Sequence, residues 1–255
     1  MLSGMALSRD QIVSALVAAL QPLDFVNAVW EGGAVAFSRA DQWSDIDLVI
    51  DAADGRCDDV WPVIDAALAG ISPVETCFKI PAAPLGLHSQ RFYRLRDAGP
   101  YLLVDIGVFP ASANDKLLDP ATHGTAIVHF DRTGATRVTP TPPADRATEI
   151  ARRLEQLRVT VPLFQSLVLK EINRGNDIEA VAFYLSWSVR PLVELLRIKH
   201  CPQRYQFHTR YVHYDLPAAV VARLRPFFFV RDLAELADRR EDAERWATDL
   251  LADLA

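Results

Sequence analysis

The chain has 255 residues, 50% apolar and 24% charged, with 27 Lys and Arg against 33 Asp and Glu. That composition can bury a substantial core, and no apolar run nears the roughly 18 residues of a membrane span, which excludes a helical membrane protein. Three scattered cysteines without CxxC spacing argue against a disulfide scaffold or a cysteine zinc site, and the amino-terminal stretch lacks the pattern of an export signal, so a cytoplasmic location is expected.

Taken in chain order, Ser8–Leu20 reads as an opening helix, with Ser8 as its cap and Ile12, Leu16 and Leu20 along one side. Val26–Glu31, Asp45–Ile50, Val74–Ile80, Ser89–Leu95 and Tyr101–Phe109 read as strands. Asp58–Leu68 reads as a helix whose first turn takes Pro62. The run Thr139-Pro140-Thr141-Pro142-Pro143 is a stiff linker. Beyond it the period turns helical. Ile150, Leu154, Leu157 and Val161 form one stripe that Pro162 should kink or end, and a second helix spans Ile178 to Lys199. Asp215-Leu216-Pro217 caps a third helix carrying Val220, Leu224 and Phe228, and a last one carries Leu233, Leu236, Leu250 and Leu254. No internal repeat or low-complexity stretch is present. The expected architecture is an α/β (α+β) head with a mixed sheet over residues 1–140, followed by an all-α helical bundle over residues 144–255.

Charge divides with the same cut. Residues 1–143 carry 10 Lys and Arg against 17 Asp and Glu, and the remainder carries 17 against 16. An acidic first half suits metal ions and cationic substrates. There is no basic stripe with interleaved aromatics, which argues against nucleic acid as a partner.

The chemistry gathers between Trp30 and Ile50. A strand ends in Gly32 and Gly33, where backbone can approach a ligand and offer its N–H groups, and a short turn or helix follows whose start favours an anion. The chain then re-enters a strand with Asp45 and Asp47, two apart and therefore on one face, while Ile46, Leu48 and Ile50 take the other. Two carboxylates on one face repel unless a cation lies between them, and a hard divalent ion with oxygen ligands is the natural partner. Asp105 is the lone charge in the apolar run Tyr101–Phe109, and a carboxylate there needs a cation or a partner. Should that strand lie beside Asp45–Ile50, the three aspartates form one cluster able to hold Mg²⁺ against phosphates. Asp51 shares the face of Asp45 and Asp47 at its far end and reads as a solvated charge.

These residues resemble the nucleotidyltransferase superfamily that includes DNA polymerase β, and especially its aminoglycoside nucleotidyltransferase branch. The matching pattern is Gly32-Gly33, then Ser44-Asp45-Ile46-Asp47-Leu48, then Asp105 on a later strand. Asn173–Asn176, Leu192–Arg197 and the Asp215-Leu216-Pro217 helix start resemble the helical half of such enzymes. Ala34 stands where the family has a phosphate-contacting Ser, and Ser38 replaces a second family Gly. The resemblance implies a nucleotidyltransferase-like head and transfer of a nucleoside monophosphate, AMP from ATP, to a hydroxyl of a small-molecule acceptor such as an aminoglycoside, with release of pyrophosphate. It implies Asp45, Asp47 and Asp105 as catalytic residues and ligands of one or two Mg²⁺. Gly32, Gly33, Ala34, Ser38, Ser44 and Lys199 would contact the nucleotide. The competing reading is a nucleotide-binding regulatory or antitoxin-like module with little or no turnover.

Outside this site, Arg190, Glu194 and Arg197, spaced four and three apart, read as a solvated helix face with local ion pairs. The six histidines show no metal-ligand spacing and read as structural. Trp43, in the polar loop before Ser44, is the candidate for stacking on a base.

Overall fold

The computed structural model describes residues 6–138 and 140–254, and the chain divides into two compact units, Met1–Pro140 and Thr141–Ala255. Thr139 of the expected linker and the first five residues of the chain lie outside the described residues. No helix among the described residues is long and apolar enough to cross a membrane.

The first unit begins with α1 (Arg9–Leu20), whose start is a reciprocal cap: Ser8 Oγ accepts from Gln11 N–H and the Gln11 side chain accepts from Ser8 N–H. β1 (Val26–Glu31), α2 (Gly33–Ala36), β2 (Ile46–Ala52), α3 (Val60–Ile71), β3 (Val74–Lys79), β4 (Ser89–Leu95), β5 (Val104–Pro110), α4 (Pro120–His123) and β6 (Ile127–Asp131) follow. The six strands form one sheet in the order β3-β4-β5-β2-β1-β6. Only β2 and β5 are parallel, so the sheet is mixed. Pro62 falls in the first turn of α3, where its missing N–H costs no helical bond.

The strand expected over Tyr101–Phe109 begins three residues later, at Val104, because Gly99 and Leu102 first close a turn (Leu102 N–H to Gly99 C=O, 3.0 Å). β6 has no counterpart in the sequence reading. It is an edge strand with Ile127 and Val128 both about half exposed, so it lacks the alternation that marks a half-buried strand.

One face of the sheet carries the main core. Ile46, Leu48 and Ile50 of β2 join Val104, Ile106 and Val108 of β5 beneath Ile12, Leu16 and Leu20 of α1 and Trp61, Ile64 and Leu68 of α3. Each such side chain is essentially sealed from water, worth about 1.5–3 kcal/mol apiece. On the opposite face a smaller cluster of Ala28, Trp30, Phe109 and Leu118 is buried.

Every described element of the second unit is helical: α5 (Pro143–Arg174), α6 (Asp177–Tyr184), a π turn (Leu185–Val189), α7 (Arg190–His200), α8 (Val212–Asp215), α9 (Ala218–Leu224), α10 (Leu233–Asp253) and two short 3-10 segments. Pro143, the last linker residue, starts α5. That helix runs through Pro162 rather than ending there. Pro162 and Arg158 lie on the exposed side, where water can take the Arg158 carbonyl that the proline leaves without a donor. Of the residues expected inside α9 and its extension, Leu224 is buried, but Phe227 takes the core position expected of Phe228, which is 40% exposed.

The charged stretch of α7 departs furthest from expectation. Arg197 is fully buried and forms no solvated face with Arg190. Its guanidinium donates to the carbonyls of Arg204, His208 and Arg210 and to Asp215 Oδ2 (3.1 Å). Glu194 is held by Arg153 of α5 through two bonds of 2.6 and 2.8 Å. Asp215 is no helix cap either: its buried carboxylate accepts from both Arg197 and Arg204. Burial resists its ionisation, but the two guanidiniums outweigh that and hold the carboxyl below its ordinary range.

Candidate functional site

The site starts where β1 runs out. Glu31, the last residue of β1, is buried and held by Arg9 of α1 and by His129 of β6 (2.9 Å), so three elements fix the point at which the glycines begin. Gly32 N–H then donates to the Asp47 carbonyl at 2.9 Å. Gly33 has φ +60°, and a Cβ on it would fall inside the Asp47 carboxylate. Only glycine meets both conditions, so the glycine at 33 is what lets the Asp47 side chain lie against this backbone. At Gly32, by contrast, a Cβ would find open space on every side within 4 Å.

Ala34 lies inside the four-residue α2, its carbonyl accepting from Phe37 N–H (3.2 Å) and Arg39 N–H (2.9 Å). Ser38 is exposed and sits in the left-handed region at φ 55°, a conformation that glycine adopts without strain. Gly124, after α4, packs against the Ala36 carbonyl, which accepts from Thr125 N–H at 2.8 Å, so α2 is clamped from its far end.

Asp47 and Asp105 are brought together. They are register partners on the parallel pair β2–β5, half-buried side by side on the face away from the main core. Asp105 Oδ1 accepts from Gln90 Nε2 of β4 at 2.7 Å. Asp45 stands one residue before β2, exposed, with Oδ1 accepting from Leu103 N–H at 3.3 Å. Among the described residues no group of three His, Cys, Asp or Glu side chains is arranged to hold a metal ion, so the expected three-carboxylate cluster is represented by a pair with Asp45 turned to the neighbouring backbone. The donor set still fits Mg²⁺: two hard carboxylates in register, which this ion accepts when phosphate oxygens complete its shell.

Ser44 shapes the loop into β2. Its Oγ donates to Asp41 Oδ1 and accepts from Asp41 N–H, both at 2.9 Å, while Trp43 N–H donates to the same Asp41 oxygen. Trp43 packs edge-on to Tyr101, ring centroids 4.8 Å apart, and both rings are more than half exposed. Lys199 is exposed in the second unit and ion-paired with Asp253 at 3.0 Å.

Asp51 overturns its reading as a solvated charge. It is fully buried, with Lys116 Nζ 2.6 Å from Oδ2 and Asn27 Nδ2 donating to Oδ1 at 2.7 Å. No local pattern announced Lys116 as its partner, because the two residues lie far apart along the chain and on different elements. Gln90 was likewise unmarked, since a glutamine in a strand carries no motif.

No family model matches this chain, and no curated protein matches it. Among solved structures, an aminoglycoside 6-adenyltransferase from Bacillus subtilis aligns at 10% identity over 96% of this chain and 92% of that one, with a TM-score of 0.30. That score is too low to equate the two folds.

Proposed function

We propose that this protein transfers a nucleoside monophosphate from a nucleoside triphosphate, ATP, to a hydroxyl of a small-molecule acceptor, releasing pyrophosphate. The observation that carries the reading is the Asp47–Asp105 pair in register, seated against a glycine that admits no side chain. Two carboxylates in register offer hard oxygen donors of the kind a divalent cation accepts when phosphate oxygens complete its shell.

Asp47 and Asp105 are the residues that would hold Mg²⁺, with Asp45 at the open end of the same face as the third donor. When bound, the ion neutralises phosphate charge and lowers the barrier to displacement at phosphorus. The open space beside Gly32 leaves room for a phosphate next to exposed backbone. Asp105, steadied by Gln90, accepts the proton of the acceptor hydroxyl as its oxygen bonds to the α-phosphorus and the bond to the pyrophosphate oxygen breaks. Trp43, exposed beside Tyr101, offers a surface on which a base can stack. Alignment and charge neutralisation supply most of the rate in such transfers.

The test is calorimetric titration with ATP and Mg²⁺, paired with a pyrophosphate-release assay over a panel of acceptors that includes aminoglycosides. Wild type should bind ATP only with Mg²⁺ and release pyrophosphate with at least one acceptor. Asp47→Asn and Asp105→Asn should each lose roughly 100-fold in metal-dependent binding. Equal binding by wild type and both variants removes the assignment. Binding without pyrophosphate release from any acceptor favours the regulatory module instead.

A further inference from the structure

The helical unit holds a cavity whose lining includes none of the residues assigned to nucleotidyl transfer. It measures about 310 Å³, near the lower end for small-molecule sites, with Leu185, Val189, Val193 and Phe228 as apolar walls and Arg190 and His208 as its charged and titratable groups.

Two unusual stretches of backbone build it, and each is held by a buried polar side chain from outside. The first is the π turn Leu185–Val189, closed by a bond from Arg190 N–H back to the Leu185 carbonyl. Pro191 has no N–H to give the Trp187 carbonyl, and Gln165 of α5 supplies the missing donor through Nε2 at 3.1 Å. Gln165 is itself buried and fixed, donating also to Val161 C=O (3.0 Å) and accepting from Ser188 Oγ (2.8 Å). The second is His208, a non-glycine residue at φ 52°, whose carbonyl is gripped by the buried Arg197. Strained backbone persists only where its surroundings insist on it, and such places concentrate at binding sites. Together they set Arg190 Nη2 3.0 Å from His208 Nε2 at the edge of an apolar hollow, with Leu185 and Phe228 left about 40% exposed at its mouth.

We propose that this cavity binds a small aryl or short-chain monocarboxylate, its carboxylate on Arg190 and His208 and its apolar body against Val189, Val193 and Phe228. A planar guanidinium matches a carboxylate through two parallel bonds. One permanent cation among apolar walls matches a single negative charge, whereas a polyphosphate would leave charge against Val193 and Phe228. The other charges facing His208 are spoken for: Glu194 by Arg153, and Arg197 by Asp215. Burial, and then the nearby Arg190 charge, pull the His208 pKa below its ordinary value. A bound carboxylate offsets Arg190, so His208 takes up a proton on binding and affinity rises as pH falls from about 7.5 to about 5.5.

The experiment follows the His208 ring resonances of the full chain by NMR during titration with benzoate, with benzyl alcohol, inorganic phosphate and ATP–Mg²⁺ as comparison ligands. Benzoate is expected to shift His208 saturably and to raise its pKa, and benzyl alcohol and phosphate to bind at least about tenfold more weakly. Arg190→Gln should lose about tenfold in benzoate affinity, and Val193→Trp, which fills the hollow, should abolish the shift while Arg190→Lys retains part of it. No saturable shift with benzoate, equal binding by benzyl alcohol or phosphate, undiminished binding by Arg190→Gln, or displacement of benzoate by ATP–Mg²⁺ each overturns the proposal. Loss of metal-dependent ATP binding in Asp47→Asn leaves it untouched, so the two readings fail separately.

Discussion

Asp51, near the carboxy-terminal end of β2, is sealed from water with Lys116 and Asn27 on its oxygens, whereas Asp47, four residues earlier on the same face, is half-buried against Gly33 and shares its register with a second carboxylate. Both are aspartates on one strand, and by pattern they are equivalent. The difference lies in what the rest of the unit brings to each end. At the Asp51 end the chain supplies a cation of its own, Lys116, and the buried register neighbours Ala28 and Phe109, so the charge is consumed in holding the fold. At the Asp47 end a second acid lies in register and the backbone of Gly33 lies against the carboxylate, which leaves both acids half-buried.

The sharpest way to separate the two ends is to remove the cation from the first. Lys116→Met strands a buried carboxylate and should cost about 3–5 kcal/mol, read from urea unfolding, with ATP–Mg²⁺ binding per folded molecule unchanged. Next in size is Gly33→Ala. The left-handed backbone alone costs about 1–2 kcal/mol with a Cβ present, and the collision with Asp47 must displace that carboxylate, so metal-dependent binding should fall at least about tenfold. Asp47→Asn reverses the balance of Lys116→Met: metal-dependent binding falls roughly 100-fold while stability shifts by about 1 kcal/mol or less. Asp45→Asn is the mildest of the four, since an amide oxygen can still accept from Leu103 N–H; unchanged stability with a loss of roughly tenfold in ATP–Mg²⁺ affinity is expected, and no loss at all would confine Asp45 to its backbone contact.

Asp131 at the end of β6 shows a third way of settling a carboxylate, and a pH ramp reads it. Burial pushes its pKa up, but the Thr136 hydroxyl and amide and the amides of Ala135 and Thr133 prevail and bring it down to about 2. A carboxyl lowered on folding contributes stability that is complete above its unfolded pKa and lost as pH falls through the folded one. Wild type should therefore lose stability from about pH 4 down to about pH 2, and Asp131→Asn should lose less over that interval.

How far the sequence could be read depended on how local each feature is. The Ser8 cap, the strands Val26–Glu31 and Ser89–Leu95, and the Gly32-Gly33 and Asp45-x-Asp47 spacings all appear where the residues put them, because capping and alternation act over a few neighbours. β6 escaped because an edge strand exposes both its faces and loses that alternation. Arg197 was read as a surface charge because helical spacing cannot reveal that three carbonyls and Asp215 would close around it.

From the order of residues alone follows which residue types stand near one another along the chain: a glycine pair, acids two apart at the start of a strand, and apolar stripes with their caps. Tertiary structure alone decided that Asp105 would lie in register with Asp47, that Lys116 would reach Asp51, and that Gln165 would fill the vacancy left by Pro191. Periodicity is a property of adjacent peptide units, whereas register and charge pairing are chosen among distant segments by which arrangement buries the apolar faces while leaving no buried polar group without an answer.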